Sequence, residues 1–177
     1  MGIVGKSIVK DFDTDLKFSN NSDLVAKLDT FYKLKIPHLS KINRTMDIKF
    51  QKAGIDLLWV LESGKRIAVD EKVRRKDYGD FHLEEYSNYE KRTVGWMSSS
   101  KHTDYISYVV LGDLKIKRIT LIPFFLLQLA WHKNYKEWLS LFKRWPSKNK
   151  GYTTTSIPIP RNVLFLALED VMEIDCG

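Results

Sequence analysis

Four residues in one short stretch have the types and spacing that phosphodiester chemistry needs. They are Asp56 and then Asp70-Glu71-Lys72, within GIDLLWVLESGKRIAVDEKVRR, residues 54–75. Cleaving a phosphodiester takes an activated water and relief of negative charge on the phosphate, and a divalent metal ion supplies both. Mg²⁺ takes oxygen ligands and keeps several waters, so two or three carboxylates are enough for a site. A lysine beside them can orient or deprotonate the attacking water, or stabilise charge that develops on the phosphate.

The elements around these residues are predicted to bring them together. Residues 55–61 form a continuous apolar run, as a strand buried on both sides would. Glu62-Ser63-Gly64-Lys65 has the composition of a hairpin turn, and residues 66–73 are the returning strand. Strand alternation puts Asp70 and Lys72 on one face and Glu71 on the other. The turn falls midway between Asp56 and Asp70, so a hairpin sets these two acids side by side. A surface hairpin with ordinary charges at its open end is the competing reading, and an Asp56–Lys72 salt bridge is a structural alternative for buried charges. Against it, Asp56 is embedded in GIDLLWV and Asp70 follows IAV. Charges abutting such runs need a reason, because burying an unpaired carboxylate is costly.

The chain has 177 residues, enough for a single domain (1–177) with its own core. Hydrophobic residues at 44% and charged residues at 29% are the balance of a globular protein, and abundant aromatics argue against disorder. A formal net charge of +7 favours polyanionic partners, nucleic acid foremost. Cys176 is the sole cysteine, which excludes an intrachain disulfide or a cysteine zinc cluster and fits a cytoplasmic location. The most apolar stretch, residues 119–131, is shorter than the roughly 20 residues a membrane helix needs and contains Pro123 and Gln128. No secretory leader and no membrane partner are expected. GKS at residues 5–7 lacks the first glycine of a phosphate-binding loop and is set aside.

Ser22 is placed to cap a helix over residues 23–34, with Leu24, Leu28 and Phe31 on one face and Pro37 as the stop. Residues 45–51 read as a strand, because Met46, Ile48 and Phe50 alternate with Asp47 and Lys49. Residues 81–86 suit a strand or a helix start, and residues 104–111 and 117–122 suit strands. Pro123 then opens a helix whose one face carries Phe124, Leu127, Trp131, Tyr135, Trp138 and Phe142, a core stripe. Residues 146–159 read as a basic, Thr-rich loop before a return to apolar residues at 163–168. This order predicts an α/β chain, or α+β, with a central mixed β-sheet flanked by helices.

Gly54-Ile55-Asp56 and Asp70-Glu71-Lys72 resemble the motif of the PD-(D/E)XK nucleases, a superfamily with a restriction-endonuclease-like fold. Ile55 stands where the motif's proline would be, a position that varies widely in that superfamily. The resemblance covers about residues 22–142 and implies an αβββαβ core. It also implies a metal-dependent nuclease in which Asp56 and Asp70 hold Mg²⁺ or Mn²⁺ and Lys72 helps to activate water. Such members often add a further acid on the first helix or after the lysine. No Glu precedes Glu62, and Asp23 and Asp29 suit capping or surface roles. Glu84 and Glu85 remain, on opposite faces if residues 81–86 are a strand. Glu84 is preferred as the further catalytic and metal-binding acid, with a solvated surface carboxylate as its alternative.

Arg74, Arg75 and Lys76 follow the motif directly and would extend towards substrate phosphates. Lys143, Arg144, Lys148 and Lys150 lead into GYTTTSIPIPR, a run rich in phosphate-contacting donors. Core packing is favoured over base stacking for Trp96 and Tyr86. His82 and His102 have local structural roles as the simpler reading. The expected substrate is DNA rather than RNA. A homodimer or a larger nuclease complex would supply specificity, since no separate recognition domain is evident. The alternative function is a catalytically inactive nucleic-acid-binding or interaction subunit with a nuclease-like fold.

Overall fold

The computed structural model describes residues 22–112 and 115–172. In chain order the elements are α1 (Ser22–Lys35), β1 (Leu39–Arg44), α2 (Ile48–Lys52), β2 (Leu57–Leu61), β3 (Arg66–Arg74), β4 (Asp80–Asn88) and β5 (Thr93–Val94). They continue with β6 (Tyr105–Gly112), β7 (Lys115–Pro123), α3 (Phe124–Leu141), β8 (Trp145–Asn149), β9 (Tyr152–Pro160) and α4 (Arg161–Met172). The strands form a five-stranded sheet in the order β1-β2-β3-β6-β7 and a four-stranded sheet in the order β5-β4-β9-β8. The first sheet is mixed, because β3 and β6 run parallel while its other neighbours are antiparallel. The chain is therefore mixed α/β, with a mixed sheet flanked by helices.

Each face of the first sheet has its own core. Leu24, Leu28 and Tyr32 of α1 pack on Leu57, Trp59, Val69, Val109 and Leu111. On the opposite face, Ile106, Tyr108 and Ile122 meet α3, α4 and the inner face of the second sheet. Full burial of one such large apolar side chain contributes about 1.5–3 kcal/mol, so the two cores together fix how β3 and β4 lie relative to each other. In α1 the buried aromatic is Tyr32 rather than Phe31, which is half-buried. The stripe foreseen in α3 is observed, with Phe124, Leu127, Trp131 and Trp138 buried and Tyr135 and Phe142 packed beside them.

Three expectations need correction. Residues 45–51 are not a strand. Asp47 accepts a hydrogen bond from Lys49 N (2.8 Å) and caps the short helix α2, while the alternating Met46, Ile48 and Phe50 stay exposed. Residues 146–159 are not a loop, since most belong to the β8–β9 hairpin. Its apolar positions, Ile157 and Ile159, are completely buried. Pro158 and Pro160 are tolerated because β8 pairs with β9 only as far as Ser156, which leaves an edge where an N–H is not needed. The third concerns the αβββαβ order. Among the described residues no helix lies between β3 and its parallel neighbour β6. The chain crosses instead through β4 and β5 of the second sheet, and α3 follows β7.

Candidate active site

The β2–β3 hairpin pairs Leu57 with Val69 and Leu58 with Ala68, which places Asp56 opposite Asp70. The backbone of Asp56 is fixed from both sides. Its N–H donates to Val69 O, and its carbonyl accepts from Thr45 N, both at 3.0 Å. Just upstream, Gly54 has φ +80°, a conformation that costs any side-chain-bearing residue. The turn it makes lets the chain leave α2 and enter β2 with Asp56 aimed across the hairpin.

Side-chain alternation along β3 separates the motif. Glu71 faces α1, where it accepts hydrogen bonds from Tyr32 Oη (2.7 Å) and Arg44 Nη1 (3.0 Å). Arg44 also pairs with Asp29 at 2.8 Å, so Asp29 belongs to this structural network. Asp70 and Lys72 face the other way. Lys72 Nζ lies 2.7 Å from Asp70 Oδ1, so the ion pair that the structural alternative drew between Asp56 and Lys72 is made to Asp70. Asp56 Oδ2 accepts from Glu71 N at 2.9 Å, and its carboxyl is also hydrogen-bonded to the Asp70 side chain.

That contact between two acids requires a proton. Burial, and then the neighbouring Asp70 charge, push the Asp56 carboxyl up to about 7, against the opposing pull of Lys72. Glu84 enters from β4. It is likewise held above the ordinary carboxylate range by burial, partly offset by Lys72, the Trp96 N–H and Lys101. Burial acts to lower the Lys72 ammonium, but Asp70, Asp56 and Glu84 outweigh it and hold it above the ordinary lysine value. Asp56, Asp70, Lys72 and Glu84 therefore share one electrostatic site.

Glu85 points to the other side of β4. It is bound by Arg144 (Nε–Oε2 2.6 Å) and Tyr135 (Oη–Oε1 2.5 Å) beside an open cavity of about 430 Å³. Of the two adjacent acids, only Glu84 lies in the field of Lys72 and Asp70. Sequence reasoning missed the groups that hold it. Trp96 N donates to Glu84 Oε1 at 3.2 Å, and the Trp96 indole lies under Lys72 Nζ, 5.6 Å from the ring centroid. Gly95 permits this approach, because a Cβ there would stand 2.4 Å from Glu84 O. Lys101 Nζ reaches back to Lys52 O at 2.5 Å. No periodicity marks these loop residues, and the glycine before Trp96 is the only local signal.

The basic residues divide. Arg74 is not a free phosphate contact. It pairs with Asp80 (2.5 Å), lies on the Tyr78 ring and has a side chain only 19% exposed. Arg144 is committed to Glu85. Arg75, Lys76, Lys148 and Lys150 are exposed, with Lys76 near the Tyr78 ring. Trp96 is buried, as core packing required.

Among the described residues, no group of three or more Asp, Glu, His or Cys side chains is arranged to hold a metal ion as it stands. The donor chemistry fits one nonetheless. Asp56 and Asp70 are neighbouring oxygen donors, burial raises the Asp56 carboxyl, and Glu84 lies in the same field. With all three acids ionised, Lys72 leaves two negative charges uncompensated, with Lys101 at the margin. Mg²⁺ or Mn²⁺ suits such an oxygen-rich, water-retaining site. No helix of the described residues is long and apolar enough to cross a membrane. No protein-family model, no curated protein and no solved structure matches this chain.

Proposed function

We propose that this chain is a metal-dependent nuclease of the restriction-endonuclease-like kind, acting on DNA, with RNA as the alternative substrate. The observation that carries this reading is the juxtaposition of Asp56 and Asp70 across one hairpin, with Lys72 at 2.7 Å from Asp70 and Glu84 in the same field. Asp56 and Asp70 would hold Mg²⁺ or Mn²⁺, with Glu84 joining directly or through water. The ion, when bound, would supply an activated water and neutralise charge on the scissile phosphate.

The chain's own residues have separable parts. Asp56 is aimed by its hydrogen bond from Glu71 N, and Glu84 by that from Trp96 N. Lys72 is held beside the acids by its pair with Asp70. From its place 2.7 Å from Asp70 it could orient or deprotonate the attacking water, or face the negative charge that builds on the phosphate. Arg75 and Lys76, exposed where β3 ends, would guide the flanking phosphates.

The strand order β1-β2-β3-β6, with three antiparallel members and a parallel fourth, supports the αβββαβ resemblance. The crossover through β4 and β5 departs from it. One observation favours a second reading, a nuclease-like subunit that binds without cutting: the proton on Asp56 and the Asp70–Lys72 pair satisfy the cluster as it is.

Incubation of the protein with labelled DNA and RNA in Mg²⁺ or Mn²⁺ tests both. Cleavage is expected, and Asp70→Asn should reduce it by at least about a hundredfold while leaving the fold intact. Equal metal-dependent cleavage by that variant would overturn the assignment. Binding without turnover by the native chain would support the second reading.

A further inference from the structure

The second sheet has two unlike faces. Phe81, Leu83, Ile157 and Ile159 point into the core. On the opposite face the register pairs Glu84 with Ser156, and Ser156 with Trp145. Residues directly opposite one another in a sheet share a face. Glu84, Ser156 and Trp145 therefore stand in a row across three strands. One end of the row approaches Lys72 through Trp96, whose N–H donates to Glu84 Oε1 at 3.2 Å and whose ring lies 5.6 Å from Lys72 Nζ. At the other end Trp145 is 55% exposed. Strands lie about 4.8 Å apart, so Trp145 stands roughly 10 Å from Glu84 at the backbone.

We propose that this outer face of β4, β9 and β8, with Trp145 as its platform, binds an unpaired nucleotide of a single strand whose backbone passes the acid cluster. The proposal rests on the nuclease reading for the identity of the polyanion and deepens it to a substrate class. An indole this exposed on a rigid sheet offers a flat surface to a nucleobase, and stacking tolerates any base because each has a π-face. A base within a duplex has both faces covered by its neighbours, which is why an unpaired nucleotide is favoured. His82 shares this face of β4, and its ring centroid is 6.2 Å from that of Trp145. Lys150 is exposed at the turn of the β8–β9 hairpin and the chain carries a net charge of +7, both of which complement a phosphate backbone, whereas strand alternation puts Lys148 on the face opposite Trp145. Ser156 adds a hydroxyl between Trp145 and Glu84.

The test is fluorescence anisotropy with the full chain in EDTA, using a labelled single strand, a matching strand of abasic sites and a duplex of the same length. Native protein should prefer the base-bearing single strand. Trp145→Ala should weaken that binding roughly 5- to 100-fold, the range one stacked base supplies, and leave the abasic strand unaffected. Trp145→Phe should retain most of the preference. Equal affinity of Trp145→Ala and native protein for the base-bearing strand would overturn the proposal. So would an equal loss on the abasic strand, or no preference by the native protein. Cleavage is assayed separately in Mg²⁺. Its absence would count against the nuclease reading alone, because the binding comparison needs no turnover.

Discussion

Replacing Asp56 by Asn gives the sharpest test of the electrostatic argument. The amide keeps the shape of the protonated acid, and its oxygen can still accept from Glu71 N, as Asp56 does at 2.9 Å. The Asp56 carboxyl is raised from 3.8 to about 7, first by burial and then by Asp70. For a group raised on folding, the associated stability is fully present below the unfolded value and is lost as pH rises through the folded one. In metal-free buffer the native chain should therefore lose stability steadily between about pH 4 and about pH 7 from this group. Each pH unit in that window is worth about 1.4 kcal/mol, so the full shift amounts to roughly 4 kcal/mol. The Asn side chain does not titrate. Asp56→Asn should gain on the native chain by about 1.4 kcal/mol per pH unit, or close to 3 kcal/mol between about pH 5 and about pH 8. Urea denaturation of both proteins in EDTA across that range measures the gap, and taking the difference cancels most other titrating groups. A gap constant to within about 0.5 kcal/mol would refute the reasoning, since no proton would then link Asp56 to folding.

Glu84→Gln should weaken metal binding and cleavage and, because burial raises this carboxyl too, should gain metal-free stability on the native chain as pH rises. Glu85→Gln should leave cleavage per folded molecule intact and cost about 1–3 kcal/mol through the Arg144 pair; calorimetric metal titration together with urea denaturation separates the two. Gly95→Ala should destabilise by about 1–3 kcal/mol, because its Cβ would meet Glu84 O at 2.4 Å. It should also slow cleavage by displacing Glu84, and native-like stability together with native-like activity would contradict the close approach.

The hairpin was legible because its signals are local. Two apolar runs, a Ser-Gly turn and the period of a strand suffice to place Asp56 opposite Asp70. Alternation also separated Asp70 from Glu71. The third acid was less accessible, because β4 shows that Glu84 and Glu85 diverge without showing which of them lies near Lys72. That depends on α3 and α4 packing beneath the second sheet, a property of the whole molecule. Trp96, Gly95 and Lys101 approach the site from an aperiodic segment and carried no pattern to find. Residues 45–51 misled for the opposite reason: Met46, Ile48 and Phe50 alternate without a core to receive them, at 78%, 63% and 53% exposure. In residues 146–159 the hydroxyls and prolines hid a strand whose buried side is carried mainly by Ile157 and Ile159.

The two faces of β3 treat adjacent acids in opposite ways. Glu71 is surrounded by Arg44 and Tyr32, with Asp29 holding the other side of the guanidinium. Its charge is spent on fixing α1 and β1 to the sheet, and breaking that arrangement should cost stability without touching the reactive face. One residue away, Asp70 faces Asp56 and Glu84 with Lys72 as the sole cation inside the cluster, and Asp56 and Glu84 are both pushed towards their neutral forms. A structural role for these acids would be served equally by a second arginine, and β3 supplies one two positions beyond Lys72. Arg74 instead pairs with Asp80, away from the acid pair. The fold thus gives Glu71 its own arginine and leaves Asp56, Asp70 and Glu84 to share the single charge of Lys72, the imbalance on which the proposed metal site rests.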